Sequence, residues 1–355
     1  MKQASLTIFS NNAAGLTSAS KQLCLKSEIS STNSAIFTIQ ETCFKKKGRF
    51  QLKGFEIFEA IRKKEKGGVM IGVHETLQPI LIAEYDDEYE VLVVEINVSG
   101  KEIRLITGVG PHENKTEDVR MLFFTILEKE ITKAEMEGKS VMIEIDANSK
   151  LGPDRIPKDR HPMSPNARLL AAILDRHALF VVNSSDKCAG TITRKRVTIE
   201  GVEESTIDFM IVSDDLIEHV DKLIVDEDRK HALTKIVKNK KKVESDHNPL
   251  VTTFKMTWNK SATKENTTMF NLKNRIGQIK FKEETSKNTY LSSVFDDENG
   301  DLDVQTNVFL KRLNKIIYKC FKKIHIKEKV DKETDDLYQT WRKLQAENRN
   351  MMKLR

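Results

Sequence analysis

Two apolar segments near the middle of the chain, residues 91–98 and 102–109, are separated only by Ser99, Gly100 and Lys101. Both segments are rich in Val and Ile, which favour β-strands. A crossover between parallel strands needs a dozen or more residues, whereas a turn this short can join only antiparallel neighbours. The pair therefore predicts a β-hairpin and argues against a doubly wound sheet built from strand–helix–strand units.

Similar short apolar segments recur through the first 257 residues. They predict strands over 6–9, 35–39, 69–73, 91–98, 104–109, 140–145, 179–182, 207–212, 222–225 and 249–254. Helical periodicity predicts helices over 117–137 and 166–177, and Ser164-Pro165 before the second is a helix-start signal. Together these elements predict an α/β fold, a four-layer sandwich of two mixed β-sheets flanked by helices.

The 355 residues are enough for one large domain and a smaller unit. We expect a domain over 1–257, a polar linker over 258–270 and a helical basic tail over 271–355. Residues 259–355 carry 21 Lys and Arg against 14 Asp and Glu, whereas the first 258 carry 38 against 39. This asymmetry favours attraction of a polyanion by the tail, and a merely solvated tail explains the charge equally well.

Three tail helices are predicted, near 271–290, 304–325 and 331–354. The middle one places its basic residues within one arc of about 120°. These residues are Lys311, Arg312, Lys315, Lys319, Lys322 and Lys323. An ordinary core-facing helix accounts for the apolar half of the same segment.

The cysteines, Cys24, Cys43, Cys188 and Cys320, lie far apart and show no zinc-ligand spacing. They indicate reduced thiols in an intracellular protein, for which the nucleus is one compartment that we keep open. No run of eighteen apolar residues is present, so we expect no membrane span. The chain enters a strand-like segment directly rather than a signal peptide. The sequence leaves the oligomeric state open.

Six segments place a polar or acidic residue at the end of an apolar strand. They are Asn11-Asn12-Ala13-Ala14-Gly15-Leu16, Ile39-Gln40-Glu41-Thr42, Val109-Gly110-Pro111-His112, Glu144-Ile145-Asp146-Ala147-Asn148, Thr206-Ile207-Asp208-Phe209 and Ser245-Asp246-His247-Asn248-Pro249. Taken singly, each is more often structural than catalytic. Their joint occurrence in this order is the specific signal.

This order, over residues 5–257, resembles the endonuclease/exonuclease/phosphatase superfamily, which includes DNase I and the abasic-site endonucleases. It is most similar to the endonuclease domain of LINE-type (non-LTR) retrotransposon endonuclease–reverse transcriptases. The resemblance implies a DNase I-like fold and an Mg²⁺-dependent endonuclease, with Mn²⁺ as an alternative metal, that nicks duplex DNA. The tail is similar to the segment that joins endonuclease to polymerase in such elements. Because the chain stops at Arg355, we expect a truncated or repurposed element product.

Metal-site roles fall to three of these residues. Mg²⁺ takes hard oxygen ligands and only one or two protein carboxylates. Glu41 is the expected ligand, Asp246 the second acid near the metal, and Asn12 the residue that steadies Glu41 or a metal-bound water.

Catalytic roles fall to four others. Asp146 is expected to be the base that activates water, and Asn148, two residues further along the strand end, to hold a phosphate oxygen. His247 is expected to contact the scissile phosphate as a cation, with Asp208 against its other nitrogen. A carboxylate partner raises the pKa of an imidazole and fixes its orientation.

The sequence departs from the pattern of the superfamily at two places. Val109 and His112 stand where relatives have Tyr and Asn or Gln, and Ala14 stands where some have Asp. We expect His112 to face the substrate, and losing one transition-state donor costs on the order of 10²–10³ in rate. Because of these departures, one alternative interpretation is that the chain is a catalytically impaired protein that binds nucleic acid. A phosphatase or another phosphodiesterase of the same fold is the other alternative.

A loop near Gly190 supplies two further substrate-binding candidates, Thr191 and Arg194. The segment Gly190-Thr191-Ile192-Thr193-Arg194-Lys195-Arg196 combines hydroxyls with three cations suited to phosphate. A solvated hairpin is an equally good interpretation of this pattern.

Overall fold

The computed structural model describes residues 3–259 except 63–66, 86–88, 200 and 237–241, and it also describes residues 269–270 and 323–324. The chain divides into two units, Met1–Thr263 and Lys264–Arg355, and each is described by itself. Within the described residues, no helix combines the length and the apolar character that a membrane crossing requires.

The strands of the first unit carry most of its architecture. In chain order they begin with β1 (Gln3–Asn12), β2 (Ile36–Gln40), β3 (Phe55–Ala60), β4 (Val69–His74), β5 (Ile80–Tyr85), β6 (Val91–Val98), β7 (Lys101–Val109), β8 (Ser140–Asp146) and β9 (Leu179–Val181). They continue with β10 (Cys188–Ala189), β11 (Arg194–Val197), β12 (Val202–Ser205), β13 (Asp208–Ser213), β14 (Val220–Val225), β15 (Thr234–Ile236), β16 (Lys242–Glu244) and β17 (Leu250–Asn259).

The helices of this unit are α1 (Ala19–Ser31), α2 (Glu117–Met136), α3 (Pro165–Arg176) and the single turn α4 (Asp214–Ile217). Short 3₁₀ turns lie at Glu75–Leu77 and Val182–Ser184. Both helices that the sequence predicts within this unit are present, as α2 and α3, with bounds that differ by one residue.

Two mixed sheets form from these strands. The first has the order β10-β14-β17-β1-β2-β4-β3, and the second has the order β5-β6-β7-β8-β13-β9. Strands β1 and β2 are parallel, as are β7 and β8, while most other neighbours are antiparallel. The predicted hairpin is β6–β7, in which Val98 pairs with Lys101 and the turn residues Ser99 and Gly100 both have positive φ. Positive φ at both positions suits a two-residue hairpin turn.

Side-chain alternation along the strands produces the layers. On β6, Leu92 and Val94 enter a core between the two sheets, while Val91 and Val93 enter a second core beneath α2 and α3. A third core joins the outer face of the first sheet to α1, where Phe37 meets Leu25 and Ile29. The order α1, first sheet, second sheet, α2 with α3 confirms the predicted four-layer sandwich.

Helix α1 was not predicted from the sequence. Its buried face includes Lys21 together with Leu25 and Ile29, so the charged residue interrupts the apolar periodicity. The Lys21 ammonium donates to the carbonyl oxygen of Ala13 at 2.5 Å, which satisfies the buried charge locally. The helix starts at Ser18, whose hydroxyl accepts from the backbone N–H of Lys21 at 3.3 Å.

The predicted boundary after residue 257 lies inside β17. Trp258 is buried in the core between the sheets, and its indole N–H donates to the carbonyl oxygen of Ser5 at 3.2 Å. In the second unit, Met269–Phe270 (β18) pairs with Lys323–Ile324 (β19), so the predicted helix over 304–325 does not include its last residues. The remainder of the predicted linker and of the three tail helices lies outside the described residues.

Strand direction brings the polar ends together. The carboxyl ends of β1, β2 and β8 and the amino ends of β13 and β17 lie at the same edge of the sandwich. Near that edge the residues between the sheets change from apolar to polar. This polar seam consists of Ser10, Thr38, Gln40, Thr107, Glu144 and Thr252, all buried.

Candidate functional site

A chain of side-chain hydrogen bonds crosses between the two sheets at this edge. The Asn12 amide, at the end of β1, donates to Glu41 Oε1 at 3.1 Å and to Asp146 Oδ2, at the end of β8, at 2.8 Å. Its carbonyl oxygen accepts from the backbone N–H of Ala14 at 2.9 Å. Asn12 therefore orients both carboxylates at once, one from each sheet.

A second pair lies beside Asp146. His247 Nδ1 is 2.9 Å from both carboxylate oxygens of Asp208, and His247 Nε2 is 3.9 Å from Asp146 Oδ2. Asp208 opens β13 directly opposite Asp146 on β8. Asp146, Asp208 and His247 are all buried. The predicted partnership between Asp208 and the imidazole is thus present in the geometry.

The backbone around Asp208 is fixed by residues that the sequence analysis did not single out. The Thr193 hydroxyl accepts from the backbone N–H groups of Ile207 and Asp208 at 2.9 and 3.0 Å. The Asn183 amide donates to the Asp208 carbonyl oxygen at 3.2 Å. Thr193 belongs to the same predicted loop as Thr191, but nothing in the sequence separates these two threonines.

Electrostatics favour a charged imidazole. Burial acts to lower the pKa of His247, but the negative charges of Asp208 and then Asp146 outweigh it and raise the pKa to about 9. Burial raises the pKa of Asp146, and the neighbouring Asp208 charge raises it further, while His247 acts in the opposite direction. The site therefore places His247, which keeps its proton, next to Asp146, whose raised pKa makes its carboxylate a stronger base than usual.

Four of the nine described non-glycine residues with positive φ lie around the site. Ala14, Glu41, Cys43 and Asn148 all have positive φ, between 44° and 56°. Non-glycine residues rarely adopt this region, and such strain clusters at sites where geometry matters. Strand β8 ends at Asp146, so a left-handed turn, and not the strand alternation that we expected, brings Asn148 to the same side.

Asn148 donates two hydrogen bonds in this turn. Its backbone N–H donates to Asp146 Oδ1 at 3.1 Å, and its side-chain amide donates to the Gly110 carbonyl oxygen at 2.9 Å. An amide NH₂ group has two hydrogens, so one such contact leaves capacity for a second acceptor. The turn therefore couples the orientation of Asp146 to that of Asn148.

The donor chemistry decides where a divalent cation fits. Asp146, Asp208 and His247 offer ligand atoms within 4.8 Å of one another, but Asp208 and His247 already hold each other at 2.9 Å. Mg²⁺ prefers oxygen ligands and retains several waters. Glu41 is half-buried, shares its carboxylate with Asn12 and lines an open cleft. Glu41 with Asn12 therefore suits Mg²⁺ better than the histidine cluster does.

Asp246 has a partner that the sequence did not predict. Its Oδ2 accepts from Arg194 Nε at 2.8 Å. Burial acts to raise the pKa of Asp246, but the charges of His247 and Arg194 hold it below its usual value. The backbone of the segment that contains Asp246 and His247 also pairs with β11 here, because Arg194 and His247 form an isolated antiparallel bridge. Arg194 therefore lies at the site, bound to an acid through its Nε.

A cleft of about 530 Å³ opens next to this network and is called the main cleft below. Its lining residues are Glu41, Arg62, Gly67, Glu90, Val109, Gly110, Pro111, His112, Lys115, Val119 and Asn148. His112 is exposed and lines the cleft, and its substrate-binding role stays a prediction. Val109 packs against the core between the sheets and presents no hydroxyl.

Thr191 is not among the residues that line the main cleft. It lines a separate cavity of about 250 Å³ beside Lys158 and Asn183. Its backbone N–H donates to Glu227 Oε1 at 2.6 Å, and its carbonyl oxygen accepts from the Thr206 hydroxyl at 2.7 Å. These contacts fix the loop that carries Thr193 and Arg194.

The fold resembles several solved structures. They include the endonuclease domain of TRAS1, a telomere-specific non-LTR retrotransposon, with 19% identity and a TM-score of 0.52 over 71% of this chain and 99% of that one. An AP endonuclease from Archaeoglobus fulgidus has 17% identity and a TM-score of 0.52 over 70% and 99%. The Xenopus laevis APE2 catalytic domain has 14% identity and a TM-score of 0.53 over 71% and 93%.

These likenesses confirm the predicted fold, which this chain shares with the three solved structures. No protein-family model matches the sequence. No curated protein sequence matches it significantly either. The identities are low, so the likeness concerns the architecture, and the chemistry must be argued from the residues of this chain.

Proposed function

We propose that the first unit is an Mg²⁺-dependent endonuclease that nicks DNA by hydrolysing phosphodiester bonds. The observation that carries the proposal is the continuous contact network Glu41–Asn12–Asp146 with the buried His247–Asp208 pair beside it. It supplies a metal-binding acid, a base and a cation within one edge of the fold. The similar solved structures with endonuclease names support the same class.

His247 acts on the phosphate as an imidazolium. Its Nδ1 faces Asp208, so Nε2 is the nitrogen that remains to donate to a non-bridging phosphate oxygen. The partner carboxylate keeps the ring charged at neutral pH. A fixed cation aimed at the developing negative charge is the most effective kind of transition-state stabilisation.

Asp146 receives the proton of the attacking water. The water oxygen forms a bond to phosphorus, the bond from phosphorus to the leaving oxygen breaks, and the water proton passes to the carboxylate. Asn12 and the Asn148 backbone N–H hold the two oxygens of Asp146 in place. Because burial raises the pKa of Asp146, its carboxylate is a stronger base than an exposed aspartate.

Glu41, oriented by Asn12, would hold the metal, which when bound supplies charge neutralisation at the phosphate and leaving oxygen. Asp246 is the second candidate ligand, and its ion pair with Arg194 would have to open for that role. Asn148 and His112 line the cleft on the substrate side. Mn²⁺ would satisfy the same oxygen donors.

DNA is the proposed substrate because of the charge next to the site. Arg194, Lys195 and Arg196 lie on β11, whose first residue bridges to His247. Cations at the margin of a phosphodiesterase site attract a polynucleotide backbone and neutralise its phosphates. Descent from a retrotransposon endonuclease is part of the proposal and rests on the order of the six motifs.

A catalytically impaired DNA-binding protein is the second candidate. Val109 packs against the core where relatives carry a tyrosine hydroxyl, and Arg194 occupies one oxygen of Asp246. Both observations reduce the groups available to the transition state. They leave the cations that would bind DNA in place.

Relaxation of supercoiled plasmid separates the two candidates. With Mg²⁺ the protein should produce nicked circles, and EDTA should abolish the product. Asp146→Ala, Glu41→Ala and His247→Ala should each nearly abolish nicking, and combined replacements should cost little more because the groups act as a unit. His177→Ala and Asp175→Ala are matched controls, since both residues make ion pairs remote from the site.

Near wild-type nicking by His247→Ala would refute the assigned chemistry. DNA binding without nicking by the wild-type protein would instead support the impaired binding protein. Hydrolysis of phosphomonoesters but not of plasmid would indicate a phosphatase of the same fold.

A further inference from the structure

One buried threonine contacts both of the backbone segments that carry Asp208 and His247. Thr193 is 0% exposed and directly precedes β11. Its hydroxyl oxygen accepts from the backbone N–H groups of Ile207 and Asp208 at 2.9 and 3.0 Å. Its carbonyl oxygen accepts from the backbone N–H of Asn248, the residue after His247, at 2.6 Å. Thr193 therefore binds one segment with its side chain and the other with its backbone.

Two more hydrogen bonds hold the histidine segment beside Thr193. The Asn248 side-chain amide donates to the carbonyl oxygen of Ile192 at 2.6 Å. The backbone N–H of Lys195 donates to the carbonyl oxygen of Asp246 at 2.7 Å. These bonds involve the residues before and after Thr193 in sequence, so the segment that carries the imidazole is fixed along this stretch.

The acid segment is bound on both sides of Asp208. Thr193 accepts from its backbone N–H, and the Asn183 amide donates to its carbonyl oxygen at 3.2 Å. The Asn183 amide oxygen in turn accepts from the backbone N–H of Met210 at 2.9 Å. Since the backbone of Asp208 is fixed at both of its polar groups, the direction of its carboxylate towards the imidazole is fixed as well.

Stability accounts for part of this arrangement. A buried N–H without an acceptor is unfavourable, and the Thr193 hydroxyl supplies one acceptor for two such groups. An acceptor for these groups need not belong to a residue that also binds the histidine segment. The double contact sets the separation of the two segments, and the proposed chemistry depends on that separation.

We infer that Thr193 is a positioning residue that holds the Asp208 carboxylate against His247 Nδ1 and thereby aims His247 Nε2 at the scissile phosphate. The inference rests on the proposed function and adds to it a residue that acts through others. Thr193 is fully buried, so its effect on the reaction passes through the two segments that it joins. Displacing a reacting group by about 1 Å costs about hundredfold in rate, so a small change in this separation is measurable.

The His247 ring proton tests the inference without turnover. Thr193→Val keeps the shape of the side chain and removes the hydroxyl, whereas Thr193→Ser keeps the hydroxyl. The Nδ1–H signal in the NMR spectrum of the protein without metal or DNA reports the hydrogen bond to Asp208, and its loss in His247→Ala assigns it. The signal should move upfield or be lost through exchange with water in Thr193→Val, and it should keep its wild-type position in Thr193→Ser.

Turnover supplies a second measurement. Thr193→Val should lower kcat by about tenfold to hundredfold, with KM nearly unchanged, on plasmid and on bis(p-nitrophenyl) phosphate alike. Thr193→Ser should recover most of the rate. If Thr193 instead only supports the DNA-facing cations of β11, Thr193→Val would raise KM for plasmid and leave hydrolysis of the small diester unchanged, which would overturn the inference.

Ser213→Ala is the matched control. Ser213 ends β13, the strand that Asp208 opens, and its hydroxyl accepts from the backbone N–H of Val141 at 3.0 Å. Its replacement also removes the acceptor of a buried N–H, so it should lower the melting temperature while leaving kcat and the His247 signal unchanged. Thermal melting confirms that each variant is folded, and Thr193→Ala, which removes the hydroxyl in a smaller side chain, takes the place of Thr193→Val if that variant does not fold.

The outcomes separate this inference from the proposed function. An unchanged ring-proton signal and kcat in the folded variant without the hydroxyl would overturn the inference even if the protein nicks DNA. An equal loss of kcat in Ser213→Ala would also overturn it, because the effect would then follow stability alone. Absence of nicking by the wild-type protein would overturn the proposed function, while the ring-proton signal still decides whether Thr193 holds Asp208 against His247.

Discussion

Replacing Asp208 with Asn changes the charge that faces His247 while keeping the shape of the side chain. In the wild-type protein both Asp208 oxygens lie 2.9 Å from Nδ1. Burial opposes the charged ring, so the imidazolium depends on its carboxylate neighbours. Asp146 and Asp246 remain in Asp208→Asn, but the largest favourable contribution is lost. The pKa of His247 should therefore fall towards its ordinary value of 6.5.

The size of the effect follows from the two pKa values. A pKa of about 9 in place of 6.5 corresponds to about 3 kcal/mol of preferential interaction with the charged ring. Near pH 8 the charged fraction should drop from about nine tenths to a few per cent, which is about a thirtyfold loss in rate if only the imidazolium is active. At about pH 6 the loss should be much smaller, because the ring remains largely protonated.

The assay is kcat/KM for plasmid nicking from about pH 6 to about pH 10, with the His247 ring proton followed by NMR over the same range. The wild-type rate should fall as pH rises through about 9, and the falling limb in Asp208→Asn should move to lower pH. Asp175→Asn, at a surface ion pair, is the control and should leave the limb unchanged. An unchanged limb in Asp208→Asn would refute the coupling of Asp208 to His247.

The same pKa determines how stability depends on pH. A folded-state pKa above the unfolded value means that the His247 contribution is complete below about 6.5 and is lost as pH rises through about 9. The unfolding midpoint of the wild-type protein should decline over that interval. In Asp208→Asn the decline should be smaller, because the folded and unfolded pKa values then lie closer together.

Three further outcomes are expected. Glu144→Gln should raise the melting temperature near neutral pH and change it little near pH 4. Burial raises the pKa of Glu144, and an acid with a raised pKa in the folded state makes the protein less stable as pH rises above the unfolded pKa of 4.5. An equal effect on the melting temperature at both pH values would contradict this. Val109→Tyr should increase kcat for nicking if an aromatic hydroxyl is the missing donor, and a decrease would mean that the tyrosine disturbs the core. Removing residues 264–355 should make the slope of log Kd against log salt shallower by about 0.9 for each of several phosphates that the tail contacts, and turnover at saturating DNA should stay intact. An unchanged slope would assign the basic tail a role other than DNA binding.

Much of the fold was predictable because its strands are buried and regular. Each of the ten predicted strands corresponds to an observed one, and the 91–98 segment matches β6 residue for residue. The two missed long strands, β3 and β5, each lie at one edge of their sheet. On β5, Ile80, Leu81 and Ile82 are all exposed, so the apolar residues show no alternation between an inner and an outer face.

The order of the site residues was predictable for a related reason. Polar residues that end buried strands must lie at an edge of a sheet, and several in succession predict a common edge. The partners were not predictable, because they depend on how the two sheets pack. Arg194 with Asp246 and Arg62 with Glu90 join segments far apart in sequence. The turn that brings Asn148 beside Asp146 is local, but the Asn148 amide in it donates to the Gly110 carbonyl oxygen of a distant segment.

The polar seam explains how three acids can lie close together near one histidine. Glu144 is two residues before Asp146 on the same face of β8, with the hydroxyls of Ser10 and Thr252 against it. Complete burial, and then the charge of Asp208, raise the pKa of Glu144 well above its usual value, which favours its neutral, protonated form. A charged Glu144 would add a third negative group and raise the pKa of Asp146, which already carries the effect of Asp208. Because the raised pKa favours a neutral Glu144, the charged acids that act on His247 are Asp208, then Asp146 and then Asp246, and Asp146 can remain the proton acceptor.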